Sequence, residues 1–220
     1  MKVVAFLPAK GTSERVLGKN MRNLAGKPLF QHLLETLLTV EEIDEVYIDS
    51  DSDEILEIGK GCGAIPLKRE AKFANNNTDG HQLFMNQVRQ VEADIYIQGL
   101  GTSPFIKKET IQRGINTLKA SDNNDSVVLV RKEKLYLWRE NRPTYNRNHV
   151  PNSKDLEDTI IETMGLYMTK REIALKLGQR YGEKPYLLEA SKIEAFDIDT
   201  PEDFEFANII CSGIIASKQR

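Results

Sequence analysis

The sequence of 220 residues predicts an α/β fold, a mainly parallel sheet layered with helices. Two observations carry that prediction. Apolar runs of strand length alternate with segments whose apolar residues recur at helical spacing. Glycine, proline and polar residues gather in the connections, as they do where parallel strands are joined by crossover helices and ligands lie beyond the strand ends.

The elements follow in order. The apolar run 3–7 reads as a buried strand and passes into a polar loop, 8–20. After a turn at 25–29, Phe30, Leu33, Leu34, Leu37 and Leu38 form one apolar helix face. A strand at 46–50 ends in the acidic run Asp49, Asp51 and Asp53, and 53–61 is a short helix with Ile55 and Ile58 turned inward. Residues 64–67 make a weak strand, and a polar stretch then leads to a helix capped by Thr78 or Asp79, with Leu83, Phe84, Val88 and Val91 as its apolar members. A strand at 94–98, a loop at 99–104, a helix at 107–119 and a strand at 126–130 continue the alternation. Between 131 and about 160 it stops. That segment is rich in Arg, Asn and Tyr and holds Trp138, the only tryptophan, so it is either a long surface loop or an inserted arm that packs on a second subunit. A strand at 164–168, a helix through Leu177, a strand at 186–188 and a final helix behind Thr200 and Pro201 complete the chain.

Composition bounds the function. A formal net charge of −3 gives no basic field for nucleic acid, so a charged substrate must be met locally. Cys62 and Cys211 are far apart and without ligand spacing, which predicts reduced thiols, and no stretch is long enough to span a membrane. No signal peptide is expected, and the protein is read as cytoplasmic.

Chemistry concentrates in two places. The loop after the first strand, Leu7-Pro-Ala-Lys-Gly-Thr-Ser-Glu-Arg-Val-Leu-Gly-Lys-Asn20, combines Gly11 with small hydroxylated residues and the cations Lys10, Arg15 and Lys19. A glycine loop leaving a strand can turn backbone N–H groups inward towards phosphate, and the cations add charge. It is neither a Walker A loop nor a dinucleotide fingerprint. The second place is Asp197-Ile198-Asp199, where residues i and i+2 of an extended segment put two hard oxygen ligands on one side, suited to Mg²⁺. The alternative for that stretch is a turn and helix cap.

Pro8, Ala9, Gly11, Ser13, Arg15, Lys19 and Asn20 match in register the P-A-R-x-G-S-K-R-x-x-x-K-N signature of the acylneuraminate cytidylyltransferases, which make CMP-activated sugar acids, and Asp197 to Asp203 match their D-I-D-T-x-x-D. The chain resembles that family over nearly its whole length. Lys10 replaces the usual Arg and Glu14 the usual Lys. The resemblance implies a single Rossmann-like, GT-A-like three-layer domain over 1–220 with a protruding dimerisation arm at 131–160, hence a homodimer. It implies CTP and a 2-keto sugar acid as substrates, with Lys10, Arg15, Lys19 and Asp199 catalytic. The nucleotide would meet Leu7, Ala9, Lys10, Gly11, Ser13, Arg15, Lys19, Asn20, Arg69 and Thr78. Gln98, Thr102 and Ser103 would meet the sugar, and Asp197 and Asp199 would hold Mg²⁺. In the family the Asp49 to Asp53 run is a strand end and helix start, which favours a structural reading there. Two alternatives stay open: nucleotidyl transfer to another sugar, and a nucleotide-binding protein without turnover.

Overall fold

In the computed structural model, which describes residues 1–13, 16–75, 77–121 and 123–218, strands and helices alternate as β1 (Val3–Pro8), α1 (Leu29–Leu38), β2 (Glu45–Ser50), α2 (Asp53–Gly61), β3 (Ile65–Lys68), α3 (Gly80–Gln90), β4 (Ile95–Gly99) and α4 (Lys108–Ala120). The chain continues as β5 (Ser126–Lys134), β6 (Asp158–Lys170), α5 (Arg171–Leu177), β7 (Pro185–Glu189) and α6 (Pro201–Lys218). The seven strands form one sheet in the order β7-β5-β6-β4-β1-β2-β3. β1 runs parallel to both β2 and β4, β2 to β3, and β5 to β7, while β6 is antiparallel to its neighbours β4 and β5.

The pleat of β1 divides the core. Val3, Ala5 and Leu7 join Leu33, Leu34 and Leu37 of α1, Ile55 of α2 and Ile111 and Ile115 of α4 on one face. Val4 and Phe6 turn to the other face and meet Phe84, Met85 and Val88 of α3 and Ala174 of α5. The result is three layers, helices on both sides of a sheet buried on both faces, which is why its central strands read as continuous apolar runs. Each fully buried Leu or Phe stabilises the fold by about 1.5–3 kcal/mol relative to exposure. α2 lies close on the sheet, since a Cβ at Gly59 would come within 2.7 Å of Ile48.

Of the two caps expected for α3 the structure uses Asp79, which accepts from the backbone N–H of His81 and Gln82 while Gln82 closes the capping box. Other boundaries differ from expectation. Val91 lies just past the end of α3. β5 and β6 are longer than their apolar cores predict, because they pair antiparallel from Asp158↔Lys134 to Thr169↔Ser126, across an irregularity between Glu162 and Tyr167. The polar segment from 131 is thus partly strand, and 135–157 between β5 and β6 carries only a small hairpin pairing Trp138 with Pro143 and a 3-10 turn at Ser153–Asp155. Among the described residues no helix is long and apolar enough to cross a membrane. Cys62 and Cys211 are free thiols.

Candidate active site

At the C-terminal ends of β1, β3 and β4 the chain encloses a cavity of about 540 Å³. Six residues expected at the site line it: Lys10, Ser13, Lys19, Asn20, Arg69 and Thr102. Leu83 of α3 and Leu100 add apolar wall. The place is the one an open α/β sheet assigns to ligands.

The loop from 9 to 20 is held from several sides. Asn20 donates its side-chain amide to the Lys10 carbonyl at 2.8 Å, tying the two ends together. The Gly11 N–H donates to Asp51 at 2.9 Å, and a Cβ on Gly11 would sit 2.9 Å from the Ser52 Cβ. Glycine is therefore required by close approach to the β2–α2 turn. The Gly11 N–H itself is engaged by Asp51. Leu7 and Ala9 are fully buried, and the Ala9 N–H donates to the Asp49 carbonyl, so both shape the loop from behind instead of offering side chains. Arg15 and Glu14 lie outside the described residues.

Lys19 is 8% exposed. Its ammonium donates to the Ile198 carbonyl at 2.6 Å and to the Asp199 carboxylate at 3.3 Å. The cationic loop and the carboxylate pair, 180 residues apart in sequence, are thereby one site. Between the two acids Ile198 is fully buried in a cluster with Leu24, Leu29 and Phe204, so the intervening apolar side chain anchors the segment. The Thr102 carbonyl accepts from the Ile198 N–H at 3.0 Å, and the Ser103 hydroxyl donates to Asp197 at 3.1 Å. Burial pushes the Asp197 carboxyl above its usual range, the bond from Thr102 opposes that, and the charge of Asp199 adds to it. Asp203 accepts from the N–H groups of Asp199 and Thr200 at 2.9 and 2.7 Å and from the Thr200 hydroxyl. Burial would raise the Asp203 carboxyl, but these bonds hold it below the usual range. Asp197-Ile198-Asp199 is therefore a carboxylate pair and Thr200-Asp203 the helix cap beside it.

Two carboxylates, one of them destabilised by burial, form a donor set that favours a hard cation. Among the described residues no group of three or more His, Cys, Asp or Glu could hold a metal. That fits Mg²⁺, which keeps waters and binds through one or two carboxylates plus phosphate, and does not fit a closed structural zinc site.

Two expected residues, Thr78 and Gln98, stand apart, and a third, Arg69, is tied to a protein partner. Thr78 lines a different cavity, beside Lys72, Asp79 and Gly178, because Asp79 takes the cap and leaves Thr78 in the preceding loop. Arg69 reaches the cavity but is 5% exposed and locked to Asp49, with Nε on the carboxylate and Nη2 on the carbonyl, each at 2.9 Å. Gln98 is 1% exposed and does not line the cavity, donating Nε2 to Gln87 at 2.9 Å. The three acids of the 49–53 run face three separate partners, Arg69, Gly11 and Lys68, and do not form a metal cluster. Gln87 and Leu83 were not anticipated as neighbours of the site. The signal was present in Gln87, a polar residue within the apolar stripe Leu83, Phe84, Val88.

Comparison with known proteins adds the following. A family model described as cytidylyltransferase matches residues 4–219. The chain is 28% identical to the CMP-N,N'-diacetyllegionaminic acid synthase of Legionella pneumophila, over 93% of this chain and 94% of that protein. It is 23% identical to the pseudaminic acid cytidylyltransferase of Campylobacter jejuni, over 96% of each. Among solved structures it superposes on CMP:2-keto-3-deoxy-manno-octonic acid synthetase complexed with CTP with a TM-score of 0.73, 18% identity, and 97% and 99% of the two chains covered, a likeness of fold.

Proposed function

The chain belongs to the cytidylyltransferase family, and from that premise we propose that it transfers CMP from CTP to the anomeric hydroxyl of a 2-keto sugar acid of eight or nine carbons, releasing pyrophosphate. The observation that carries the reading is the junction of Lys19, which lines the cavity, with Ile198 and Asp199, which joins the cationic loop to the carboxylate pair. The relatives named for legionaminic and pseudaminic acids support the acceptor class.

In the reaction the anomeric hydroxyl gives up its proton and its oxygen bonds to the α-phosphorus, while the bond from the α-phosphorus to the α,β-bridging oxygen breaks and that oxygen leaves with the β- and γ-phosphates as pyrophosphate, opposite the attacking oxygen. Such a displacement asks the protein for alignment and for cations where charge accumulates. Lys10 and Lys19 supply positive charge along the cavity wall, and Arg15 belongs with them on its match to the family signature. Ser13 and Asn20 fix the loop and the nucleotide against it, while Thr102 and Ser103 orient Asp197. Asp197 and Asp199 would hold Mg²⁺, which when bound polarises phosphate oxygens and favours ionisation of the attacking hydroxyl. Lys19 offsets the charge of Asp199 and holds the segment through the Ile198 carbonyl. The use of CTP supports a cytoplasmic reaction.

The exposed segment 135–157, with Trp138 64% exposed and Arg139, Arg142 and Arg147 on its surface, supports a homodimer in which this segment packs on the partner. The test of function is product analysis: CTP, Mg²⁺ and a panel of 2-keto-3-deoxy sugar acids, each reaction read by mass spectrometry for the CMP ester. One acid converted with CTP and not with ATP, GTP or UTP is the expected result. Conversion of sugar 1-phosphates and of none of the acids would contradict it.

A further inference from the structure

The last helix, α6, is apolar on two sides. Its inner face packs Phe204, Ala207 and Cys211 with Leu24 and Leu29. Its outer face presents Phe206, 49% exposed, and Ile209, 66% exposed. After the acids Glu202, Asp203 and Glu205 no charged residue follows until Lys218, the last position of the helix. A surface helix ordinarily carries its charges on the outer face, whereas one that is apolar all round is buried. α6 is not long and apolar enough to cross a membrane, and the acids at its start oppose adsorption on an anionic lipid surface. The cover it calls for is another protein surface.

Gly213 says how closely that surface approaches. It is exposed on the outer face, and a Cβ there would meet nothing within 4 Å. Glycine inside a helix weakens it relative to almost any other residue, and no neighbour within the chain requires one here. A backbone that packs closely from outside does.

The outer face also has a register. Glu202, Phe206, Ile209, Gly213 and Ala216 follow one another at alternating intervals of four and three residues, the spacing of a coiled-coil seam. The large members stand in the first half of the helix and the small ones in the second. Against a second α6 laid antiparallel, about a twofold axis level with Cys211, Phe206 meets Ala216, Ile209 meets Gly213, and the acidic start of each helix faces the Lys218 end of the other. A parallel pair would set Phe206 on Phe206 and acids on acids. Shape and charge therefore select the same arrangement, and the opposed helix dipoles favour it as well.

We propose that α6 is an interaction surface for a second copy of this chain, paired antiparallel through Phe206, Ile209, Gly213 and Ala216. The contact is separate from 135–157 and independent of the proposed reaction. One helix pair buries less than a stable interface needs, so this contact is weak on its own and forms at higher concentration than the dimer proposed through 135–157.

The chain carrying Trp138→Glu, in which 135–157 no longer contributes, isolates it. Sedimentation velocity of that chain is expected to show reversible pairing with a Kd on the order of 100 μM. Adding Gly213→Lys is expected to abolish the pairing with Tm unchanged or higher, because lysine favours the helix and the position is open in the single chain. Disulfide formation under mild oxidation reads the register: chains carrying Ile209→Cys and Gly213→Cys are expected to crosslink when mixed, and neither to crosslink alone. A Trp138→Glu chain that stays monomeric up to about 1 mM leaves the face to a different partner and overturns the proposal. So does pairing that survives Gly213→Lys, or a single cysteine variant that crosslinks to itself as fast as the mixture.

Discussion

Lys19 is the residue on which the two halves of the site meet. With its ammonium on Asp199 and the Ile198 carbonyl, it is a counter-ion to the carboxylate pair as well as a wall of the cavity. Lys19→Met is expected to lower kcat/KM for CTP by at least about 100-fold, the usual scale for removing one preorganised charge from a developing anion. Lys19→Arg should not restore it, because a planar guanidinium does not fit a site shaped for a compact ammonium that is 8% exposed; steady-state pyrophosphate release reads both. Asp51 makes a second prediction. It accepts the Gly11 N–H, so Asp51→Ala releases one anchor of the loop and is expected to raise KM for CTP about five- to tenfold, a loss of roughly 1 kcal/mol. An unchanged KM would show that the loop holds its shape without that bond. At this scale the first loop and Asp197 to Asp199 stood out in the sequence through their match to a family signature, and the structure brings Lys19 and Asp199 into contact. The role of Asp51 was not legible there, since a hydrogen bond between residues 40 apart leaves no periodic trace.

Helix and strand types were readable from periodicity, and their ends less so. The helix from Asp53 to Gly61 has the bounds its capping serine and first-turn acids predict, whereas β5 and β6 run on past their apolar cores because strand pairing continues where burial stops. A contact invisible in sequence governs α4. Its N-cap position, Lys107, has no capping side chain, and Glu194, from the segment before the carboxylate pair, accepts from the Lys107 N–H, the Thr110 hydroxyl and Ser191. Burial would raise the Glu194 carboxyl; the bonds from Thr110, Ser191 and Lys107 outweigh it and hold it below the usual range. A carboxyl whose folded value is depressed contributes its full stability above the unfolded value and loses it as the pH falls through the folded one. Glu194→Gln is therefore expected to cost about 2 kcal/mol at pH 7, seen as roughly 4–8 °C in Tm, and progressively less towards acid. A Tm difference that stays constant from pH 7 to pH 3 would remove the charge from this account.

At the scale of the molecule, alternating strands and helices fix a layered sheet, but the strand order and the antiparallel insertion of β6 between β4 and β5 come from long-range pairing that composition does not encode. That order brings the ends of β1, β3 and β4 around one cavity and leaves 135–157 projecting from β5 and β6. If that segment is the contact between two copies, Trp138→Glu is expected to convert a species of twice the chain mass into monomer in sedimentation velocity; a wild type already monomeric at micromolar concentration would contradict it. The central claim is that the cationic loop and the carboxylate pair act together on CTP and a sugar acid, and one measurement addresses it most directly. Pyrophosphate release from CTP with Mg²⁺, with and without a 2-keto-3-deoxy sugar acid, is to be compared between wild type and Asp199→Ala. The account predicts release that depends on the acid and falls at least about 100-fold in the variant. Release independent of any acid, or equal in the two proteins, would contradict it.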